Sequence, residues 1–404
     1  MKKKWLIWVL SIVIACGSLC LGCTSGTDND NGSGDGSNVE RPNDNEDDGD
    51  NDNDNDNDND NSDDENNDND NSGGSDDENN ESTGSGGAGD GSGDSSGDNT
   101  NSGTGDSTTD EEVSTSEYIK HKLLTDTKFK KGLTLKGLNS ATDNKVIKTI
   151  NYGDSSVRNP KWNVAQWWSK YNLANGVETI TDDYYSLVDK SKTLAVDRTT
   201  GAITLGVKGS EEFATYNTKE PTEWPHLLIE QNITGEYWLK NADKMEAVLD
   251  FTVTQSENKR GGTAGFHAQF AWFIYVKDMN PDSPGFGNFL WFGLNIFNST
   301  QIYTTLYEKQ DTAGGLGDFI YSLGSAQMHP GSRVKVGERK VITVDLAEHI
   351  RNALASAQKN GFMIGTKFED CQIIGNNIGW EVFDRYDVSI TLHDIGINFY
   401  NKKD

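Results

Sequence analysis

The stretch Gly265–Val276 reads GFHAQFAWFIYV. Phe266, Ala268, Phe270, Trp272, Ile274 and Val276 occupy alternate positions, with His267, Gln269, Ala271, Phe273 and Tyr275 between them. A side-chain period of two belongs to a β-strand, whose successive residues point to opposite faces. One face here is plainly core. The other mixes aromatics with His and Gln, whereas an ordinary solvent face would favour Lys, Glu and Thr. Phe289–Phe297 repeats the order: Leu290, Phe292, Leu294 and Ile296 oppose Phe289, Trp291, Asn295 and Phe297. In Met245–Val253, Met245, Ala247, Leu249, Phe251 and Val253 oppose Glu246, Asp250 and Thr252.

Further strands are expected at Val146–Ile150, Leu227–Ile233, Ile302–Tyr307, Phe319–Leu323, Val341–Leu346, Gln372–Val382 and Val388–Phe399. Thr193–Val207 reads as a hairpin about Asp197-Arg-Thr-Thr-Gly201. One helix is predicted, Leu346–Asn360, with Ile350, Leu354 and Ala357 on one face and Gly361 stopping it. A second, short helix is expected in the aromatic stretch Trp162–Tyr171. Many strands, wide loops and no βαβ rhythm indicate an all-β chain, an antiparallel β-sandwich with one short helix between late strands.

Charge divides the chain sharply. Residues 24–115 carry 30 acidic side chains and one basic, Arg41, while the whole chain is −28. Setting that segment and the three N-terminal lysines aside leaves Ser116–Asp404 at about −2. The low pI is therefore a property of one segment. No basic face offers itself to nucleic acid. Almost nothing but Asp, Asn, Gly, Ser, Thr and Glu fills residues 24–115, including the run NDNDNDNDNDN at Asn51–Asn61. Such a composition cannot offset chain entropy by burial, so a disordered tether is expected at 23–115. A Gly-rich coil of 92 residues averages ~50 Å end to end, with a contour limit of about 300 Å. The folded domain is expected at 116–404, which holds eight of the ten tryptophans.

The first 22 residues have a basic start, an apolar run and a small residue before Cys23, the pattern of a secretory signal peptide. Leu21-Gly22-Cys23 followed by Thr-Ser-Gly-Thr-Asp resembles the lipobox of bacterial lipoproteins, with Cys20 at the position where leucine is usual. Val13-Ile14-Ala15-Cys16 is a second such match. The resemblance implies lipidation of Cys23, an anchor in membrane lipid, and a domain held outward from a bacterial cell envelope. An unlipidated secreted protein, or a retained membrane segment over Trp5–Gly22, remains open. Cleavage there leaves Cys371 as the domain's one thiol, without an internal disulfide.

The mixed face points to carbohydrate. Sugars present apolar C–H faces and many hydroxyls, so a glycan site wants aromatic platforms beside amides, carboxylates and imidazoles. Tyr275, Trp291, His267, Gln269 and Asn295 supply that set, and WPHLLIEQ at Trp224–Gln231 adds His226 and Glu230. Together with FLWFGLNIF (Phe289–Phe297), NIGWEV (Asn377–Val382) and the closing strand Val388–Phe399, this stretch resembles the concanavalin-A-like or jelly-roll sandwiches of bacterial carbohydrate-active proteins. The resemblance implies polysaccharide or oligosaccharide binding or cleavage, with no residue roles attached. Whether the chain is an enzyme stays open at this point. Glu230 and Glu381 could form the carboxylate pair of a glycosidase, for which retention needs about 5–5.5 Å between carboxyls. His267 with Tyr275 could abstract a proton alpha to a uronate. A third possibility is an adhesive or structural surface protein whose mixed face is covered.

Metal signals are weak. Asp278, Asn280 and Asp282 open like an EF-hand loop and could seat a structural calcium ion, but Ser283 and Phe289 stand where Gly and Glu belong. No other metal or cofactor signature occurs. If Cys23 carries the anchor, Cys23→Ser releases the full chain into the aqueous fraction of a detergent phase partition, where the unsubstituted protein stays with the detergent.

Overall fold

The structure is a computed structural model and describes residues 117–138, 145–218, 221–262, 265–311 and 318–403. The signal segment and the tether expected before them lie outside the described residues. Seventeen strands are described. In chain order they begin with β1 (Tyr118–Lys122), β2 (Leu133–Lys136), β3 (Val146–Ile150), β4 (Trp162–Ala165), β5 (Val177–Ile180) and β6 (Tyr184–Val188). The hairpin β7 (Lys192–Asp197) and β8 (Ile203–Lys208) follows, then β9 (His226–Asn232), β10 (Lys244–Asn258), β11 (Ala268–Asp278) and β12 (Phe289–Asn298). The last are β13 (Tyr307–Gln310), β14 (Phe319–Leu323), β15 (Arg339–Asp345), β16 (Cys371–Val382) and β17 (Tyr386–Lys402).

They form a two-sheet β-sandwich. Sheet A runs β15-β10-β17-β8-β7-β6-β5, with β1 added to the far part of β17. Sheet B runs β13-β14-β12-β11-β16-β9-β4-β2-β3. Pairing is antiparallel except for β12 with β14 and β2 with β4, which are parallel and depart from the all-antiparallel expectation. Both exceptions arise because a short edge strand, β13 or β3, lies between the two in sequence but outside them in the sheet.

The core is the set that the period of two selected. Phe270, Trp272, Ile274 and Val276 of β11 are buried without exposure, as are Leu290, Phe292 and Leu294 of β12 and Met245, Leu249, Phe251 and Val253 of β10. Burial of such side chains supplies the main drive for folding, roughly 1.5–3 kcal/mol each. Two indoles in this layer satisfy their N–H groups inside it. Trp272 donates to Asn376 Oδ1 at 3.0 Å, and Trp380 of sheet B donates to the Leu205 carbonyl of sheet A at 3.0 Å.

Helix α1 (Leu346–Lys359) is capped by Asp345, whose carboxylate accepts from Ala347 N, and is closed by Gly361 at φ +85°. Leu346, Ile350, Ala353, Leu354 and Ala357 are its buried stripe. It packs on β10 of sheet A and on β12 and β14 of sheet B, closing the sandwich at that side.

Two expectations are corrected. Trp162–Tyr171 is not a helix: Trp162 and Val164 point into the core from β4, and Trp168 takes φ +51°, which a helix cannot accommodate. Ile302–Tyr307 is not a strand: pairing begins only at Tyr307, and Ile302, Tyr303 and Leu306 are exposed. Elsewhere the segment before Asp183 completes both sheets: the strand expected at Val146–Ile150 is β3, and with β2 and β4 it extends sheet B.

Cys371 is buried, and burial pushes its thiol well above the ordinary range, so it behaves as a small apolar residue. The Asp278 turn is closed by protein donors: its carboxylate accepts from Asn280 N at 3.2 Å and Ser283 Oγ at 2.6 Å. Both Asp278 oxygens thus have protein donors.

One lysine is fully enclosed. Lys192 has no exposed side-chain surface, and its ammonium meets Asp189 at 3.1 Å, Glu212 at 3.3 Å and the Tyr171 carbonyl at 2.6 Å. Removing one partner of a buried ion network strands the others, at a cost of about 3–5 kcal/mol. Lys192→Met should lower the urea midpoint accordingly, whereas Lys190→Met, on the exposed neighbour, should leave it nearly unchanged.

Candidate functional site

The face of sheet B turned away from the core collects the mixed residues. Alternation decides this: with Trp380 inward, Glu381 points outward, and with Ile229 inward so does Glu230. Strand pairing places these residues in rows. Glu381 lies between His226 of β9 and Gln269 of β11. Four residues along, Asn377 lies between Glu230 and Phe273, with Gly293 and Ser322 continuing the row. Two residues further, Gly375, Tyr275, Trp291 and Ile320 stand side by side. The first and last rows are six residues apart on β11, about 20 Å.

Each end of this groove carries an aromatic group. At one end Trp224 stacks on Phe383 at 4.5 Å and on His226 at 5.7 Å, with Trp167 and Trp168 around the imidazole at 5.5 and 5.2 Å. His267 lies on Phe383 at 4.9 Å and its Nε2 contacts Gln269 Oε1 at 3.3 Å. At the other end Trp291 meets Tyr275 and Phe289 edge to face at 4.9 and 5.0 Å, Tyr275 and Phe289 are tilted at 5.7 Å, and Phe273 joins Trp291 at 5.9 Å. Between the two groups the side chains are small: Gly379, Ala271 and Gly293 lie there, flanked by Asn295 and Leu228, and all but Asn295 are buried. Glycine is required at two of these positions. A Cβ on Gly293 would fall 2.8 Å from the Phe273 ring, and one on Gly375 would fall 2.9 Å from the Tyr275 ring. Both rings can therefore lie down along the sheet.

Polar atoms on this face are under-used by the protein. Trp291 Nε1, Asn295 Oδ1 and Asn377 Oδ1 are buried and make no hydrogen bond. Buried orphans of this kind cost about 1–3 kcal/mol each unless a ligand or solvent meets them.

The carboxylates are perturbed by their surroundings. Desolvation pushes Glu381 up to about 7, against the opposing pull of Gln269 and the Trp224 N–H, with the like charge of Asp311 adding to the rise. Gln269 Nε2 donates to Glu381 at 3.2 Å. The Trp224 indole N–H lies beside the same carboxylate but outside good hydrogen-bond geometry. Desolvation raises Glu230 as well, offset by Lys136 and Asn163.

The structure thus brings Gln269, Glu381 and His267 together at one end, Tyr275 and Trp291 at the other, and Glu230 and Asn295 between. His226 faces the same way but is only 5 % exposed, enclosed by tryptophans with its Nδ1 on the Trp224 carbonyl at 2.8 Å. It supports the groove rather than lining it. Two pairings are corrected. Glu230 and Glu381 stand four residues apart on neighbouring strands, so their Cα atoms are about 14 Å apart, not a facing pair. His267 and Tyr275 are eight residues apart along one strand direction, about 26 Å, too far to act on one proton.

Reading the sequence missed Trp224, Phe383, Phe273, Asn377 and Asp311. Asn377 and Phe273 could have been found, since they sit at outward positions of strands already recognised. Trp224, Phe383 and Asp311 lie just beyond strand ends, where alternation gives no direction.

No protein-family model matches the chain, and no curated protein matches it. Among solved structures, it is similar to a family 12 xyloglucanase from Bacillus licheniformis, at 10% identity over 58% of this chain and 98% of that one, with a TM-score of 0.34. It is also similar to the endoglucanase Cel12A of Rhodothermus marinus, at 10% identity over 55% and 93%, with a TM-score of 0.32. The catalytic domain of Humicola grisea Cel12A, crystallised with a soaked thio-cellotetraose, matches at 14% identity over 55% and 94%, with a TM-score of 0.28. Likeness at that level assigns no activity.

Two titrations at one end of the groove oppose each other. Glu381 binds its proton more tightly folded than unfolded, so its contribution to stability falls as pH rises from about 4.5 to 7. His226, held down to about 4 by burial, contributes stability that is lost as pH falls from 6.5 to 4. Glu381→Gln should therefore give a urea midpoint that, relative to the unsubstituted protein, climbs with pH across 4.5–7. His226→Phe should give the opposite difference across 4–6.5.

Proposed function

We propose that this chain is a glycan-binding protein of the cell envelope, anchored through Cys23 and carrying its β-sandwich on the acidic segment 24–115. The glycan lies in the outward groove of sheet B. The observation that carries the reading is the outward face itself: aromatic groups at both ends, small Gly and Ala residues in the middle, and partly exposed amides and carboxylates among them. A chain of sugar rings can stack its C–H faces on Trp224 and Trp291 while its hydroxyls, each both donor and acceptor, meet the partly exposed side chains of Gln269, Asn295 and Glu230.

Binding without cleavage is favoured by what stands opposite Glu381. Hydrolysis by two carboxylates needs a partner within about 5–9.5 Å. The residue across the strand pair is Gln269, and Glu230 is four positions further along. Cleavage is the second reading, and one feature supports it. A carboxyl pushed up to about 7 holds a proton near neutrality and could serve as a general acid. Asp311, whose charge reaches Glu381, would then be the partner to test.

A glycan array on the full chain, followed by calorimetry on any hit, tests the proposal. Trp291→Ala and Trp224→Ala should each weaken binding at least about tenfold, a loss of ~1.4 kcal/mol, with an unchanged far-UV spectrum. Glu381→Gln should leave binding within about threefold. Failure to bind any glycan sinks the reading. Release of reducing ends from a bound glycan, abolished by Glu381→Gln, replaces it with cleavage.

A further inference from the structure

The opposite side of the sandwich carries a second trough. Its cavity of about 470 Å³ lies on the outer face of sheet A. Strand register lays its floor in one row, Thr391 of β17, Thr204 of β8 and Ala195 of β7, with Ala202 at the end of the hairpin loop beside them. Small side chains here let a ligand approach the sheet closely, and the Thr204 and Thr391 hydroxyls already share a hydrogen bond of 2.8 Å. Tyr184 forms one wall and is 42 % exposed. Arg339 and His393 stand toward the opposite wall.

Two cations beside it are ion-paired. Arg339 grips Asp250 at 2.8 and 2.6 Å, and Lys128 meets Asp394 at 3.3 Å. The Asp197 carboxylate accepts from the Thr199 and Thr200 backbone. An anionic ligand would have to displace one of the two paired carboxylates. A neutral ligand that both donates and accepts hydrogen bonds, and has an apolar face for Tyr184, would not.

We infer that this trough is a second saccharide-binding site, specific for neutral sugars and independent of the groove on sheet B. Two sites on opposite sheets would let one molecule hold two glycan chains, or hold one polymer mat with the avidity of two contacts.

The test uses the full chain with the sheet B groove disabled by Trp224→Ala and Trp291→Ala together. Calorimetry and amide NMR follow titration with neutral tetrasaccharides of glucose, mannose, galactose and xylose. One equivalent of at least one tetrasaccharide should still bind, with shifts at Tyr184, Thr204 and Thr391. Adding Tyr184→Ala should weaken that binding at least about tenfold, and Ala202→Arg should fill the trough and abolish it. The inference is overturned if the disabled but folded protein binds none of the four. It is equally overturned if binding survives both trough variants with shifts elsewhere. Should Ala202→Arg fail to fold, Tyr184→Ala and the shift map decide. Loss of the wild-type indole shift at Trp291, by contrast, reports on the sheet B groove alone.

Discussion

The indole of Trp380 donates across the interior to the carbonyl of Leu205, joining the two sheets through a buried hydrogen bond. A buried N–H without a partner would cost more than its net bond contributes, so the pair fixes how the sheets meet as well as how strongly. Because residues alternate along a strand, an inward Trp380 makes Glu381 outward. The same holds for Trp272, which is tied to Asn376 and leaves Phe273 and Ala271 facing out. The groove is thus a consequence of the core. A slip of one residue in β11 would bury Gln269 and expose Trp272, and one in β16 would bury Glu381 and expose Trp380.

The first part of the folded chain plays two roles that its sequence conceals. β1 joins sheet A beside β17, and β2, β3 and β4 widen sheet B beyond β9. The segment therefore enlarges the sheet that carries the groove instead of lying over it. Trp167 and Trp168, in the turn after β4, reach only the end where His226 is enclosed. Nearby, Lys192 is held by Asp189 and Glu212 inside the molecule, which pins the start of the β7–β8 hairpin to the helical turn Gly209–Glu212.

Legibility followed length and burial. β10, β11, β12, β16 and β17 are long, and their alternation holds between bulges, so their faces were readable except where a bulge reverses the order, as at Phe297, which was expected on the mixed face and packs against Trp380 in the core. The helix was readable from its stripe and its Gly361 stop. β2, β4 and β5 are four residues each, too short for a period to register, and their pairing is set by neighbours distant in sequence. At Trp162–Tyr171 the density of aromatics imitated a helical face. The true reason for it is twofold: Trp162 fills the core, while Trp167 and Trp168 pack at the groove's end.

The sequence by itself determined that the charge lies in residues 24–115, that the folded part is an all-β sandwich, and which face of each long strand is core. These are local or compositional facts, and alternation or chain entropy is enough to read them. Only the tertiary structure decided which outward residues are neighbours. Register between β9, β11 and β16 set Gln269 against Glu381, separated Glu230 from it by four positions, and moved Tyr275 away from His267. Register depends on side chains packing across strands far apart in the chain, and one strand's pattern carries no record of its partner's offset.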